Sequence, residues 1–318
     1  MTDALVLDGV TKRYGSVTAL NRVSLAIRAG EMFGVIGPDG AGKTTAIRLA
    51  CGLLRADDGR VRLFDRDPVA EHAAITRDVG YLSQRFSLYG DLTIDENIAF
   101  QAELHGMRRY EAERTRLLEM TQLTPFRRRR ADRLSGGMKQ KLALACTLIH
   151  EPRVLLLDEP TTGVDPVSRR EFWKLLSEFL AQGLTIVMAT PYLDEAERCA
   201  RVALIHEGQV IAVDAPGALQ AAMPGSLFEV VVDAPRPPVD AIASMDGVQD
   251  VQVFGDGAHV RMAAGAVARE FETALVQRGL KPVSVRQVPP SLEDVFIDLV
   301  TRRDLSAASA SADREARP

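Results

Sequence analysis

The chain has 318 residues, 46% of them hydrophobic and 26% charged, with a formal net charge of −4 at pH 7. That balance is ordinary for a soluble globular protein with room for one large domain or two unequal ones, and it argues against a nucleic acid as the main partner. No apolar run reaches the length of about 18 residues that suggests a membrane span, and the opening MTDALVLDG has no basic-then-apolar export signal, so any membrane role is expected to come through a partner.

Along the chain, Leu5 and Leu7, then Val23, Leu25 and Ile27, alternate as antiparallel strands do, and Arg28-Ala29-Gly30 makes a turn. A short apolar strand at 32–36 runs into a glycine-rich loop and a helix. Helical spacing of apolar residues follows over 94–104, 111–123 and 136–149. The basic run at 127–130 reads as a solvated loop or helix end. Two apolar runs, 154–157 and 185–189, read as buried strands separated by a helix over 166–182. This is the order of a parallel sheet covered by helices. Cys51, Cys146 and Cys199 form no spaced pair and read as reduced, buried thiols of a cytoplasmic protein.

The character changes near Pro224-Gly225. Residues 227–288 read as strand, helix, strand, strand, helix, strand, the split-βαβ or ferredoxin-like plan, with a hairpin turn at Asp256-Gly257. A helix over 291–303 follows, and the Ala/Ser-rich tail is expected to be disordered. The expected domains are therefore 1–222, 223–303 and a tail, 304–318.

Gly37-Pro38-Asp39-Gly40-Ala41-Gly42-Lys43-Thr44 matches the phosphate-binding loop pattern between strand and helix, and Thr45 continues it. Glycines let backbone N–H groups converge on phosphates, and the helix adds the positive end of its dipole. Lys43 can reach the β- and γ-phosphates and the Thr44 hydroxyl can ligate Mg²⁺. The apolar strand at 154–157 ends in Asp158-Glu159. Side chains alternate along a strand, so the two acids have separate roles: Asp158 for the Mg²⁺ shell and Glu159 as general base or polariser of the attacking water.

Leu134-Ser135-Gly136-Gly137-Met138-Lys139-Gln140, between those two motifs, opens a helix with Ser135 as N-cap and glycines that leave backbone N–H groups uncovered. It resembles the signature of the ATP-binding cassette (ABC) family, in which these donors act in trans on the γ-phosphate held by the opposite protomer. The resemblance covers about residues 4–222. It implies an α/β P-loop NTPase cassette with a RecA-like core, an antiparallel β subdomain and a helical subdomain, joined here to the α+β ferredoxin-like domain. It implies ATP and Mg²⁺ as ligands, Tyr14 against adenine, Gln84 as a Q-loop residue that also touches Mg²⁺, and Asp165 in a D-loop at the dimer interface. The region from Arg85 to Asn97 would grip a membrane partner's cytoplasmic helix. Asp165-Pro166, Tyr192-Leu-Asp-Glu-Ala-Glu197 and Ser291-Leu-Glu-Asp-Val-Phe-Ile297 further resemble ABC-2 type export ATPases of the daunorubicin-resistance sort. The Gly-Pro-Asp-Gly loop and Ser168-Arg-Arg-Glu-Phe-Trp173 resemble the amino-terminal ATPase halves of tandem multidrug-efflux cassettes.

Two departures stand out. The family's switch histidine follows the strand after the Asp-Glu pair; here Thr190 is followed by Pro191, with no side-chain donor and no N–H. The nearby His206 reads as structural. Asp39 replaces the usual Asn beside the phosphates. The expectation is an exporter's ATPase subunit on the inner face of the cell membrane, bound to integral membrane permease subunits and to a second ABC ATPase, identical or different, with a different chain favoured. Its own site would hydrolyse slowly. The other readings are a non-hydrolytic ATP-dependent dimerising subunit and a soluble ABC protein without a transport role.

Overall fold

The computed structural model describes residues 2–84, 87–234 and 236–315, with side chains to Asp304. The chain divides into two compact units, 1–216 and 217–318, slightly ahead of the boundary expected after 222.

The first unit opens with β1 (Asp3–Tyr14) and β2 (Val17–Arg28), whose alternate residues Leu5, Leu7, Val23, Leu25 and Ile27 are buried as the period of two requires. Next come β3 (Met32–Ile36), α1 (Lys43–Ala50), β4 (Asp58–Leu63), α2 (His72–Asp78) and β5 (Val79–Leu82). The helical segment holds α3 (Ile94–Leu104), α4 (Glu111–Met120) and α5 (Gly136–Leu148). The unit continues with β6 (Val154–Asp158), α6 (Pro166–Ala181), β7 (Thr185–Thr190), α7 (Leu193–Ala196), β8 (Arg201–His206) and β9 (Gln209–Asp214). Strands β2-β1-β4 make a three-stranded antiparallel sheet, and β5-β6-β7-β3-β8-β9 make a six-stranded sheet in which only β9 runs antiparallel to its neighbour. Every residue of β3, β6 and β7 is buried, which is why these strands are unbroken apolar runs rather than alternating ones. The parallel order aligns the carboxyl ends of β3, β6 and β7 at one edge, where such sheets bind ligands. All three cysteines are buried free thiols, and burial raises each, Cys199 to about 12.

A short α8 (Pro216–Ala222) spans the division. The second unit runs β10 (Ser226–Val232), α9 (Val239–Ala243), β11 (Val248–Phe254), β12 (Gly257–Met262), α10 (Ala268–Gln277), β13 (Pro282–Val288) and α11 (Leu292–Glu315). Its antiparallel sheet has the order β11-β12-β10-β13, the ferredoxin-like arrangement expected from the sequence. Ile242 of α9 and Phe271 and Leu275 of α10 pack on Phe228, Val230 and Val260 of the sheet. Two details differ from expectation. Phe254 pairs with Gly257, so the hairpin turn is Gly255-Asp256, with Gly255 at φ +61° taking the first central position that favours glycine. The segment from Asp304, expected to be disordered, continues α11 as helix through Glu315; its alanines are the strongest helix formers.

Candidate nucleotide site

The glycine loop crosses from β3 to α1 at the carboxyl edge of the parallel sheet. A Cβ at Gly37 would lie 2.1 Å from the Ile205 carbonyl oxygen, so only glycine lets the loop pass β8. Gly42 has φ +104°, and a Cβ there would meet the Ala19 carbonyl oxygen at 2.4 Å. Gly40, at φ +80°, has nothing within 4 Å of its Cβ position and faces open space. The Ala41 N–H donates to the Pro38 carbonyl at 3.2 Å, which closes the turn. Because Gly42 caps α1 without a side chain, the first-turn N–H groups remain available to an anion. This cradle fits a polyphosphate.

Lys43 is 4% exposed. Its Nζ donates to the Pro38 carbonyl at 3.0 Å and lies 3.3 Å from Glu159 Oε1 and 3.7 Å from Asp39 Oδ1. Asp39 is otherwise in solvent, and Thr45 is buried in the first turn of α1. Thr44 Oγ1 donates to Asp158 Oδ1 at 2.8 Å, bringing together the two oxygens expected to hold Mg²⁺. Burial raises the Asp158 carboxyl above the usual carboxylate range, against the Thr44 hydrogen bond, with neighbouring Glu159 adding to the rise. Glu159 sits at φ +49°, a conformation costing on the order of 1–3 kcal/mol in a non-glycine residue. Its N–H donates to the Ala189 carbonyl at 2.9 Å, and its side chain accepts from Gln84 Nε2 at 3.0 Å. Thr162 Oγ1 adds a longer bond of 3.4 Å to the same oxygen. The strand end thus separates its two acids: Asp158 turns to the loop threonine, Glu159 to Lys43 and Gln84.

Ser135 caps α5 and accepts from the Met138 N–H at 3.3 Å. Gly136 is exposed, whereas Gly137 is buried against α6: a Cβ there would lie 2.1 Å from Ser168 Oγ. Gly137 therefore has a packing reason to be glycine that the sequence did not reveal. Asp165 caps α6, accepting from the N–H groups of Val167 and Ser168 at 3.1 and 2.9 Å, and the Ser168 hydroxyl, followed by these N–H bonds, holds its carboxyl below the usual range. No hydrogen bond joins residues 135–137 to the loop at 37–44 among the described residues. Tyr14 is 45% exposed, with Lys12 Nζ 5.8 Å from its ring centre. Arg85 and Phe86 lie outside the described residues. After them, Asn97 donates to the carbonyls of Tyr89, Leu92 and Thr93 and holds the segment in a fixed loop.

Thr190 is in register with Ile36, so Pro191 follows directly beside the start of the phosphate loop. Pro191 presents no donor there. The Thr190 hydroxyl is turned inward and donates to Glu195 Oε2 at 2.7 Å. His206 closes the β8–β9 hairpin opposite Gln209. Sequence reasoning missed Glu195, Thr161 and Arg169, which meet here from three segments. No local spacing links them, so only tertiary structure brings them together.

A glycine loop between strand and helix, a buried lysine, a Thr–Asp pair and a second carboxylate held by a glutamine define a P-loop NTPase. The family pattern described as "ABC transporter" matches residues 20–162, and that of "ATP-binding protein DrrA1-3-like, C-terminal domain" matches 217–300. The chain is 39% identical over 307 residues to the probable multidrug ABC transporter ATP-binding protein YbhF of Escherichia coli (strain K12), covering 94% of this chain and 53% of that protein. It thus spans about half the length of that relative. It is 36% identical over 305 residues to the daunorubicin resistance ATP-binding protein DrrA3 of Streptomyces coeruleorubidus, covering 93% of this chain and 95% of that one. Among solved structures, cbiO1 from Clostridium perfringens, part of the ABC transporter complex cbiONQ, aligns with a TM-score of 0.64 at 27% identity, over 70% of this chain and 92% of that one. The chain belongs to the ABC transporter ATP-binding proteins.

Proposed function

We propose that this chain is the Mg-ATP-binding and hydrolysing subunit of an ABC-2 type exporter. The observation that carries the reading is the convergence of Lys43, Thr44, Asp158, Glu159 and Gln84 at one edge of the parallel sheet. Relatives named for multidrug transport and daunorubicin resistance support export as the direction. No helix among the described residues is long and apolar enough to cross a membrane, so passage would belong to integral membrane permease subunits, with this chain on their cytoplasmic side.

The residues divide the work. The loop's N–H groups and Lys43 hold the phosphates, while Tyr14 offers its exposed ring to adenine. Thr44 and Asp158 hold Mg²⁺, which when bound offsets charge on the phosphates. In the present arrangement Lys43 partly neutralises Glu159; a γ-phosphate drawing on Lys43 frees Glu159 to take the proton from the attacking water, with Gln84 fixing the carboxylate's direction. Ser135 and Gly136, exposed at the start of α5, are placed to complete the site of a second cassette. Asp165, at the head of α6, belongs to that same interface.

Pro191 makes this chain's own site slow, and so favours a partner cassette that is a different chain with an intact switch. Loss of one positioned polar group in such a site costs roughly 10²–10³ in rate. In the chain assembled with its membrane partner, Pro191→His is expected to raise turnover at this site by that factor, with Glu159→Gln abolishing it. A wild-type chain that, free of contaminating ATPase, already hydrolyses ATP alone at ordinary transporter rates defeats the slow-site reading. Pro191 also favours a second reading, in which ATP serves only to join two subunits; the Glu159–Gln84 contact weighs against it.

A further inference from the structure

Glu195 is 1% exposed and lies on α7, just beyond the turn that carries Pro191. Its Oε2 accepts from Thr190 Oγ1 at 2.7 Å, and that hydroxyl accepts from the Tyr192 N–H at 3.1 Å. Both ends of the Thr190-Pro191-Tyr192 turn therefore hang on one hydroxyl that Glu195 orients. Its Oε1 accepts from Thr161 Oγ1 at 2.5 Å, from Arg169 Nε at 2.8 Å and from Trp173 Nε1 at 3.4 Å. Thr161 stands two positions after Glu159, and Arg169 is in the first turns of α6, which Asp165 caps. One carboxylate thus ties the segment leaving Glu159 to the turn beside the phosphate loop.

A buried carboxylate is costly unless it is fully paired, and a packed apolar side chain generally fills such a space at lower cost. Five donated or relayed hydrogen bonds converging from three segments specify one arrangement of those segments rather than bulk stability. We propose that Glu195 is a positioning residue for ATP hydrolysis: it locks the 190–192 turn to the segment after Glu159, so that the general base and the switch position move together. The lock matters more in this chain because Pro191 has no donor with which to find a phosphate itself.

The test uses the full chain with Thr190→Val, Thr161→Val, Glu195→Gln and Glu195→Ala. Misplacing reacting groups by about 1 Å costs on the order of 10²-fold. Glu195→Ala should lower kcat by about 10²-fold and each Thr→Val substitution by about tenfold, with the Mg-ATP Kd within about twofold of wild type. Glu195→Gln, which keeps the shape and part of the bonding, should recover part of the loss. Thr190→Val added to Glu195→Ala should cost nothing further, because both remove one linkage.

Hydrogen exchange supplies a readout independent of turnover. Thr161→Val, on the far side of the carboxylate, should speed exchange at the Tyr192 amide by about tenfold if one linkage holds both segments. Unchanged exchange at Tyr192 in Thr161→Val overturns the proposal, as does wild-type kcat in Thr190→Val, or a rate that falls only in step with ATP affinity. The threonine variants keep side-chain volume and decide the question even if Glu195→Ala does not fold. Should wild-type turnover prove too slow to time, the exchange result still decides, separately from the slow-site reading above.

Discussion

Two neighbouring strands, β3 and β7, end side by side and lead into opposite kinds of turn. After β3 the chain gives up side chains: glycines at 37, 40 and 42 leave backbone N–H groups and one buried lysine facing the same space. After β7 the chain turns its polar group inward, with the Thr190 hydroxyl on Glu195, and presents Pro191, which has nothing to donate. The two turns therefore differ in what they offer a ligand: donors after β3, and none from Pro191 after β7.

The largest effect expected from breaking this contrast is at Lys43. Truncating one member of a buried, hydrogen-bonded charge cluster costs about 2–5 kcal/mol, so Lys43→Ala should weaken Mg-ATP binding by about 10²-fold or more. Pro191→Ala should leave the same Kd within about twofold. Titration with a fluorescent ATP analogue compares the two directly. Equal losses would mean that the turn after β7 takes part in binding, and the contrast would collapse.

The contrast was legible in the sequence to different depths. The phosphate loop, the Asp158-Glu159 pair and the proline at 191, where the resemblance implies a histidine, are local patterns, because the chemistry needs those residue types at fixed spacing along one loop or one strand. The Ser135 cap could be read for the same reason. Gly137 could not: its need for glycine comes from Ser168 on another helix. Nor could Glu195, whose partners Thr161, Arg169 and Thr190 come from three separate segments. In the second unit the order of elements was legible from alternation, but the hairpin slipped by one residue because a glycine at 255 competes with the one at 257.

The glycines of the loop allow a finer comparison on stability. Gly42→Ala combines a positive φ with a Cβ 2.4 Å from the Ala19 carbonyl oxygen, and should cost about 2–3 kcal/mol. Gly40→Ala meets no neighbour within 4 Å, so conformational strain alone remains, about 1 kcal/mol. Urea denaturation separates the two. Equal losses would show that the loop is not pressed against the β1–β2 hairpin where Ala19 lies.

A last comparison, with an expected effect smaller than the cost at Gly42, distinguishes the site from its scaffold. His150 stacks on His105 with ring centres 3.7 Å apart, and donates through Nε2 to the carbonyl of Val79, the first residue of β5. That contact is at the amino ends of the parallel strands, away from the nucleotide edge. Burial, with His105 beside it, lowers the His150 imidazole from 6.5 to about 4. Its folded value is thus depressed. Between pH 6.5 and about 4 the unfolded chain takes up a proton that the folded chain resists, so stability is full above this window and falls as pH drops through it. Because the ring is only partly buried, the loss should be about 1–2 kcal/mol. His150→Phe keeps the stack and removes the titration, so it should flatten that part of the stability curve while leaving the pH dependence of Mg-ATP binding at the opposite edge unchanged. If the binding profile shifted with the stability profile, the two edges of the sheet would be coupled, and the separation of binding from its scaffold would fail.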